Sequence, residues 1–199
     1  MATLLELRTA ILDVSKNHYI QTSSDVNLTD RINNAVKEIA GGIRLPDRQI
    51  SSALPDLYTI GTVSTDTSEA YASLPATYQR KVSLILDSNG ITIAPPKGGS
   101  YYAFMLFLKS IMLQDLSEVG SVYRACIKGS NLFYQGIPAV SEDLTVHFYR
   151  LPVVMTALTD TLDGIPEHLQ LRLIKNRVGY YLASEMVDGL DRMVKYHLN

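Results

Sequence analysis

Apolar residues recur at three- and four-residue spacing from the start of the chain, where Leu4, Leu7, Ile11 and Val14 line one side of a polar segment. That period predicts an amphipathic helix ending before about Tyr19. Beyond Ser23-Ser24-Asp25 a second stripe, Leu28, Ile32, Ala35, Val36 and Ile39, predicts another helix, with Asn27 as a cap and Asp30 near its positive end. Gly41-Gly42 closes it. From Pro46 the period changes. Tyr58 to Val63 reads as a weak strand. Val82, Leu84 and Leu86 alternate with Lys81, Ser83 and Ile85, and after Ser88-Asn89-Gly90 the alternation resumes at Ile91 and Ile93. Asn-Gly between two such runs predicts a hairpin.

Residues 101–118 put Phe104, Leu108, Ile111 and Met112 on one face, and length favours a buried helix, although Tyr101 to Leu108 alone also reads as a strand. Ser121 to Ile127, a Lys128-Gly129-Ser130-Asn131 turn, Leu132 to Tyr134, and Leu144 to Tyr149 predict a second small antiparallel unit, with Leu144, Val146 and Phe148 pointing one way. Leu151-Pro152 ends it, because proline cannot donate to a ladder. After a polar linker, Ile165-Pro166-Glu167 opens a long helix with the stripe Leu171, Ile174, Val178, Tyr181 and Leu182, continuing through Met186, Leu190 and Val194 with Gly189 as a kink or end. The fold class is therefore α+β: a helical bundle of two N-terminal helices and a long C-terminal helix, with a β-rich antiparallel insertion. Residues 1–199 form a single domain in this reading, with a helical core from 1–45 and 164–199. The insertion covers about 57–152 and contains a short helix at about 101–118.

Composition narrows the function. With 46% hydrophobic residues the chain has ample material for a core, which excludes intrinsic disorder. Eighteen Lys+Arg against 20 Asp+Glu, a net charge of -2, argues against a basic nucleic-acid-gripping face. The single cysteine, Cys126, excludes an intrachain disulfide and Cys-x-x-Cys metal spacing. No basic-then-apolar leader and no run of about 20 apolar residues is visible, so neither secretion nor membrane spanning is expected.

Candidate chemistry is sparse. None of His18, His147, His168 and His197 has a partner histidine at helical spacing. Glu167-His168 has the residues of an acid/base pair, but it falls in the first turn of a helix, where the dipole accounts for the acid. Pro95 to Ser100 holds Lys97 and two glycines without phosphate-loop order. A small hydrolase or nucleotide-binding enzyme would rest on these two features alone. Arg172, Lys175 and Arg177 read mainly as the solvated flank of the last helix, a face that could also meet an acidic partner. The sequence is therefore read as that of a non-enzyme, with no cofactor and no metal. The aromatic set is unusual, with 12 Tyr, 4 Phe and no Trp. Tyrosine suits faces that are wet in a free subunit and covered on assembly, and Tyr101, Tyr102, Tyr123, Tyr134, Tyr149, Tyr180, Tyr181 and Tyr196 divide between core and such faces.

In this order the motifs become specific. Tyr71-Ala72-Ser73-Leu74-Pro75, Val122-Tyr123-Arg124, Leu144 to Pro152 and Ile165-Pro166-Glu167, following two helices, resemble the head-to-tail adaptor (connector) proteins of tailed bacteriophages. The resemblance implies a virion neck protein, assembled in the host cytoplasm, that forms a ring of about a dozen copies with heterologous contacts. It implies as partners other copies of the chain, the portal protein, and tail or nozzle proteins. It further implies that genomic DNA passes through the channel without specific binding, and that no membrane is involved. Another neck or tail-completion protein is the alternative. Interface residues expected on this basis are Tyr71, Leu74, Tyr149, Arg150 and Leu151, with Leu190, Met193, Tyr196, His197 and Leu198 reaching toward the portal.

Overall fold

The computed structural model describes residues 1–17, 25–42, 54–96, 99–111 and 118–184. Helices α1 (Leu4–Asn17), α2 (Asp25–Gly41), α3 (Phe104–Ile111) and α4 (Glu167–Ser184) accompany strands β1 (Tyr58–Ser64), β2 (Tyr71–Ser73), β3 (Tyr78–Leu86), β4 (Arg124–Lys128), β5 (Asn131–Gln135) and β6 (Asp143–Arg150). The class is α+β, as the periodicity predicts. Two compact units emerge: Met1–Leu57 with Leu151–Asn199, and Tyr58–Arg150.

In the helical unit α1, α2 and α4 pack on one another. Leu4, Leu7 and Ile11 of α1, Ile32, Ala35 and Val36 of α2, and Ile174 and Val178 of α4 are buried, which is the fate of a three-four stripe. Thr3 and Glu6 close the start of α1 reciprocally, each side chain accepting from the other's backbone N–H. Helix α2 begins at Asp25, so Asn27 is a helical residue and not the cap the sequence suggests. Gly42 ends it with a positive φ of 86°, a conformation open to glycine. Leu171 is 46% exposed and leaves the predicted stripe; Gln170 is buried in the same turn, its side chain accepting from Ala2 N and donating to Ile165 O. Arg177 is also not a solvated flank residue. It is half-buried, bonded to Glu38 of α2 at 2.6 Å and stacked by Tyr180 and Tyr181. Asn33 of α2 grips the extended 151–155 segment, donating to Met155 O at 2.9 Å and accepting from Met155 N at 3.0 Å.

The β unit holds two three-stranded antiparallel sheets, ordered β1-β6-β3 and β2-β5-β4. Both contribute to one core, in which Val63, Val82, Ile85, Leu144, Val146 and Phe148 meet Ala125, Ile127, Leu132 and Tyr134. Strand β6 therefore leaves β4 and β5, which the sequence groups with it, and pairs with β1 and β3 instead. Chain proximity favours the hairpin partner, but in this pairing the apolar face Leu144, Val146 and Phe148 joins the core shared with the opposite sheet.

The predicted alternation of β3 also changes phase. Val82 and Ile85 are buried while Leu84 and Leu86 are half-buried, because a register break between Arg80 and Leu84 inserts a bulge at which Lys81 has φ 56°. The Asn-Gly turn forms, with Gly90 at φ 78°, but its return arm is short, held by the Leu86–Thr92 bridge and by bonds from Asp87 N to Ile91 O and from Ile93 N to Ile85 O. Helix α3 starts at Phe104, after a turn at Tyr101 and Tyr102, and buries Phe107 against Cys126, with Phe104 and Phe133 beside them. Met105 and Leu106 are exposed; Met112, and Met186 to Val194 of the predicted stripe, lie outside the described residues.

Candidate functional site

Glu167 and His168 are both exposed in the first turn of α4. Lys97 and Gly98, like His18 and His197, lie outside the described residues. Among the described residues no group of three His, Cys, Asp or Glu side chains comes together as a metal site. Cys126 is buried, and burial pushes its thiol up to about 11, leaving it protonated and unreactive at neutral pH. An open groove of about 360 Å³ in the helical unit is lined by Arg8, Thr29, Asp30, Asn33 and residues 154–156, but Asn33 is already committed to Met155.

Surfaces are what the β unit presents. The outer face of the β1-β6-β3 sheet gathers aromatic and polar side chains in register: Tyr58 opposite Tyr149 and Ile60 opposite His147, with Leu84 on the far side of His147. The Tyr58 hydroxyl lies 2.8 Å from Ser83 Oγ and 3.3 Å from His147 Nδ1, and its ring meets Tyr149 edge-on at 5.5 Å. Lys81 places its ammonium 5.7 Å from the centre of the Tyr149 ring. The bulge at β3 brings Lys81 there. The cluster thus depends on a register break invisible in the alternation.

Of the residues expected at an interface, Tyr149 and Arg150 are half-buried and Leu151 is exposed beside Val153 and Val154. Tyr71 is exposed on the other sheet, its ring against Phe133. Leu74 is in the core at 7% exposure, its N–H bonded to Ser130 O. Leu190, Met193, Tyr196, His197 and Leu198 lie outside the described residues. Among the tyrosines, Tyr101 and Tyr134 are core residues. The Tyr134 hydroxyl, with ring buried, accepts from Asp66 N at 2.7 Å and bonds Glu69 O at 2.8 Å, tying down the 65–70 loop. Tyr78 is pushed above its ordinary range by burial and by its bond to the Tyr102 hydroxyl, so it acts here as a neutral donor or acceptor. Tyr58 and Ile60 are the surface residues that periodicity passed over. Their only sequence signal is the uncharged run Tyr58 to Ser64.

The described structure is a mixed α+β fold of two units. The chain belongs to the SU10 adaptor protein family, whose family model matches residues 2–197. The resemblance to phage head-to-tail adaptors carried by the ordered motifs is thereby shown, and family membership implies a place in the virion with portal and tail proteins. No curated protein sequence matches the chain. No described helix is long and apolar enough to cross a membrane.

Proposed function

We propose that this chain is a non-enzymatic head-to-tail adaptor that joins the portal to the tail as a homo-oligomeric ring around the DNA exit channel. The observation that carries the reading is the family match, which covers residues 2–197. Charge supports it. At a net charge of -2 the protein offers little to hold phosphates, and each neutralised phosphate would strengthen binding through counterion release and slow passage of DNA. A ring also needs two different complementary surfaces on each copy. The outer face of β1-β6-β3 and the exposed apolar run Leu151, Val153 and Val154 are two such surfaces. In this reading the ring has about a dozen copies, sits in the virion neck, and assembles in the host cytoplasm.

Mixing purified protein with purified portal and weighing the complex by native mass spectrometry tests the proposal. A portal-bound ring of one defined copy number is expected. A protein that stays monomeric and joins neither portal nor virions would overturn it.

A further inference from the structure

The β unit treats its sheet edges differently. On β3 the edge is closed by the return arm at Thr92 and Ile93, by the bulge at Lys81, and by the Tyr102 hydroxyl accepting from Val82 N at 2.6 Å. On β4 the edge is closed by backbone bonds from Ala125 to Ala94 and from Ile127 to Tyr101. Strand β2 is three residues long. By contrast, β1 keeps seven residues in unbroken register and carries no charge, no proline and no bulge. Such an edge is a template for another strand unless it is blunted.

One bond sets which groups are free. Thr65 N donates to Glu142 O at 2.9 Å, one step beyond the Ser64–Asp143 pair. Hydrogen-bonded pairs alternate along an antiparallel ladder, so Thr59, Gly61 and Val63 face β6. Tyr58, Ile60, Thr62 and Ser64 therefore aim their N–H and C=O groups outward, and all four residues are exposed. Among the described residues no backbone group pairs with them. The Ser64 end of this edge is acidic: Asp66, Glu69, Glu142 and Asp143 gather there, and no described ion pair neutralises them.

We propose that the outer edge of β1 is a strand-addition site for an extended segment of a partner protein. That segment is uncharged where it runs beside Tyr58–Ser64 and carries Lys or Arg at the end beside Ser64. The ladder supplies affinity and the acidic end supplies polarity. A second β1 fits less well. Laid antiparallel so that its free residues meet these four, it pairs position 58 with 64 and 60 with 62. That sets Asp56 opposite Asp66, two like charges, and brings no cation to the acidic end. The site is independent of the ring reading, since it concerns which strand β1 receives.

Fluorescent peptides of alternating Thr and Val with two lysines at the N-terminal end, at the C-terminal end, or replaced by glutamates are titrated against the full chain by anisotropy. At least one lysine peptide is expected to bind, and the glutamate peptide to bind more weakly. Ile60→Pro removes an outward N–H without touching the β1–β6 ladder, and should raise Kd about tenfold or more. Ile60→Lys keeps the backbone and should act in the same direction, which covers failure of the proline variant to fold. Absence of binding by both lysine peptides, or binding indifferent to both variants, would overturn the proposal. Loss of self-association in Ile60→Pro with no peptide bound would also overturn it, by assigning the edge to a second copy.

Discussion

Gly61 lies opposite Val146 on the inner side of β1, where an added Cβ would stand 2.8 Å from Phe148 Cε1 and 3.0 Å from Pro75 Cγ. Phe148 is held in the packed core and cannot retreat, so Gly61→Ala is expected to cost about 1–3 kcal/mol. Urea denaturation should show a lower midpoint at an unchanged slope. Asn33 poses the complementary case, a polar side chain at 7% exposure whose amide pairs with both backbone groups of the buried Met155. Asn33→Ala strands those groups and should destabilise by about 2 kcal/mol or more, whereas replacing an exposed asparagine by alanine would be nearly neutral. A drop in Tm below that of Gly61→Ala would rank the two. Neither role is legible in sequence. Glycine between Ile60 and Thr62 looks like a weak point in a strand, and Asn33 looks like one polar residue of an amphipathic helix, until residues 122 positions away meet it.

At the scale of elements, the bulge in β3 is the feature that decides the outer face. Lys81 holds φ 56° within a strand, a region that strains a side chain and strains β-branched ones most. Lys81→Gly should leave the unfolding free energy within about 1 kcal/mol of the parent, as relieved strain offsets added chain entropy. Lys81→Val should lie more than about 1 kcal/mol below Lys81→Gly in the same titration. Equal stability of the two would show that the bulge is not strained. Helices were the more legible elements because their period depends on neighbours within one turn. The alternation of β6 was equally clear, yet its partners were not, since a strand's period names its buried face and not the strands beside it.

For the whole molecule, the register of β1 with β6 sets Tyr58 opposite Tyr149, so the two ends of the Tyr58–Arg150 unit lie one strand spacing apart, about 5 Å. A unit whose ends meet and whose core is its own should fold when cut out. Residues 58–150 expressed alone are expected to give a cooperative thermal transition and dispersed amide spectra. Replacing residues 58–150 by a short Gly-Ser link between Leu57 and Leu151 should leave the helical unit folded. A molten spectrum from the excised piece would mean that the two units complete one core between them. The Leu151-Pro152 break marks one boundary in the sequence; nothing as sharp marks the other, where β1 follows a short 3-10 turn at Pro55–Leu57 directly.

By itself the sequence determined the α+β class, the helical stripes, the Asn-Gly and Gly42 stops, the buried face of β6 and, through the order of short motifs, the adaptor family. All of these depend on local period or on residue order, which a linear chain carries. Tertiary structure alone decided that β6 joins β1 and β3, that β3 bulges at Lys81, that Arg177 is tied to Glu38, and that the uncharged outer edge of β1 has no backbone partner among the described residues. These are pairings between residues far apart in the chain, and they are settled by which faces can be buried together. The composition rich in tyrosine and free of tryptophan was divided in the same way: Tyr101 and Tyr134 went to the core and Tyr58 to the surface, because burial is a property of the packed unit and not of the residue type.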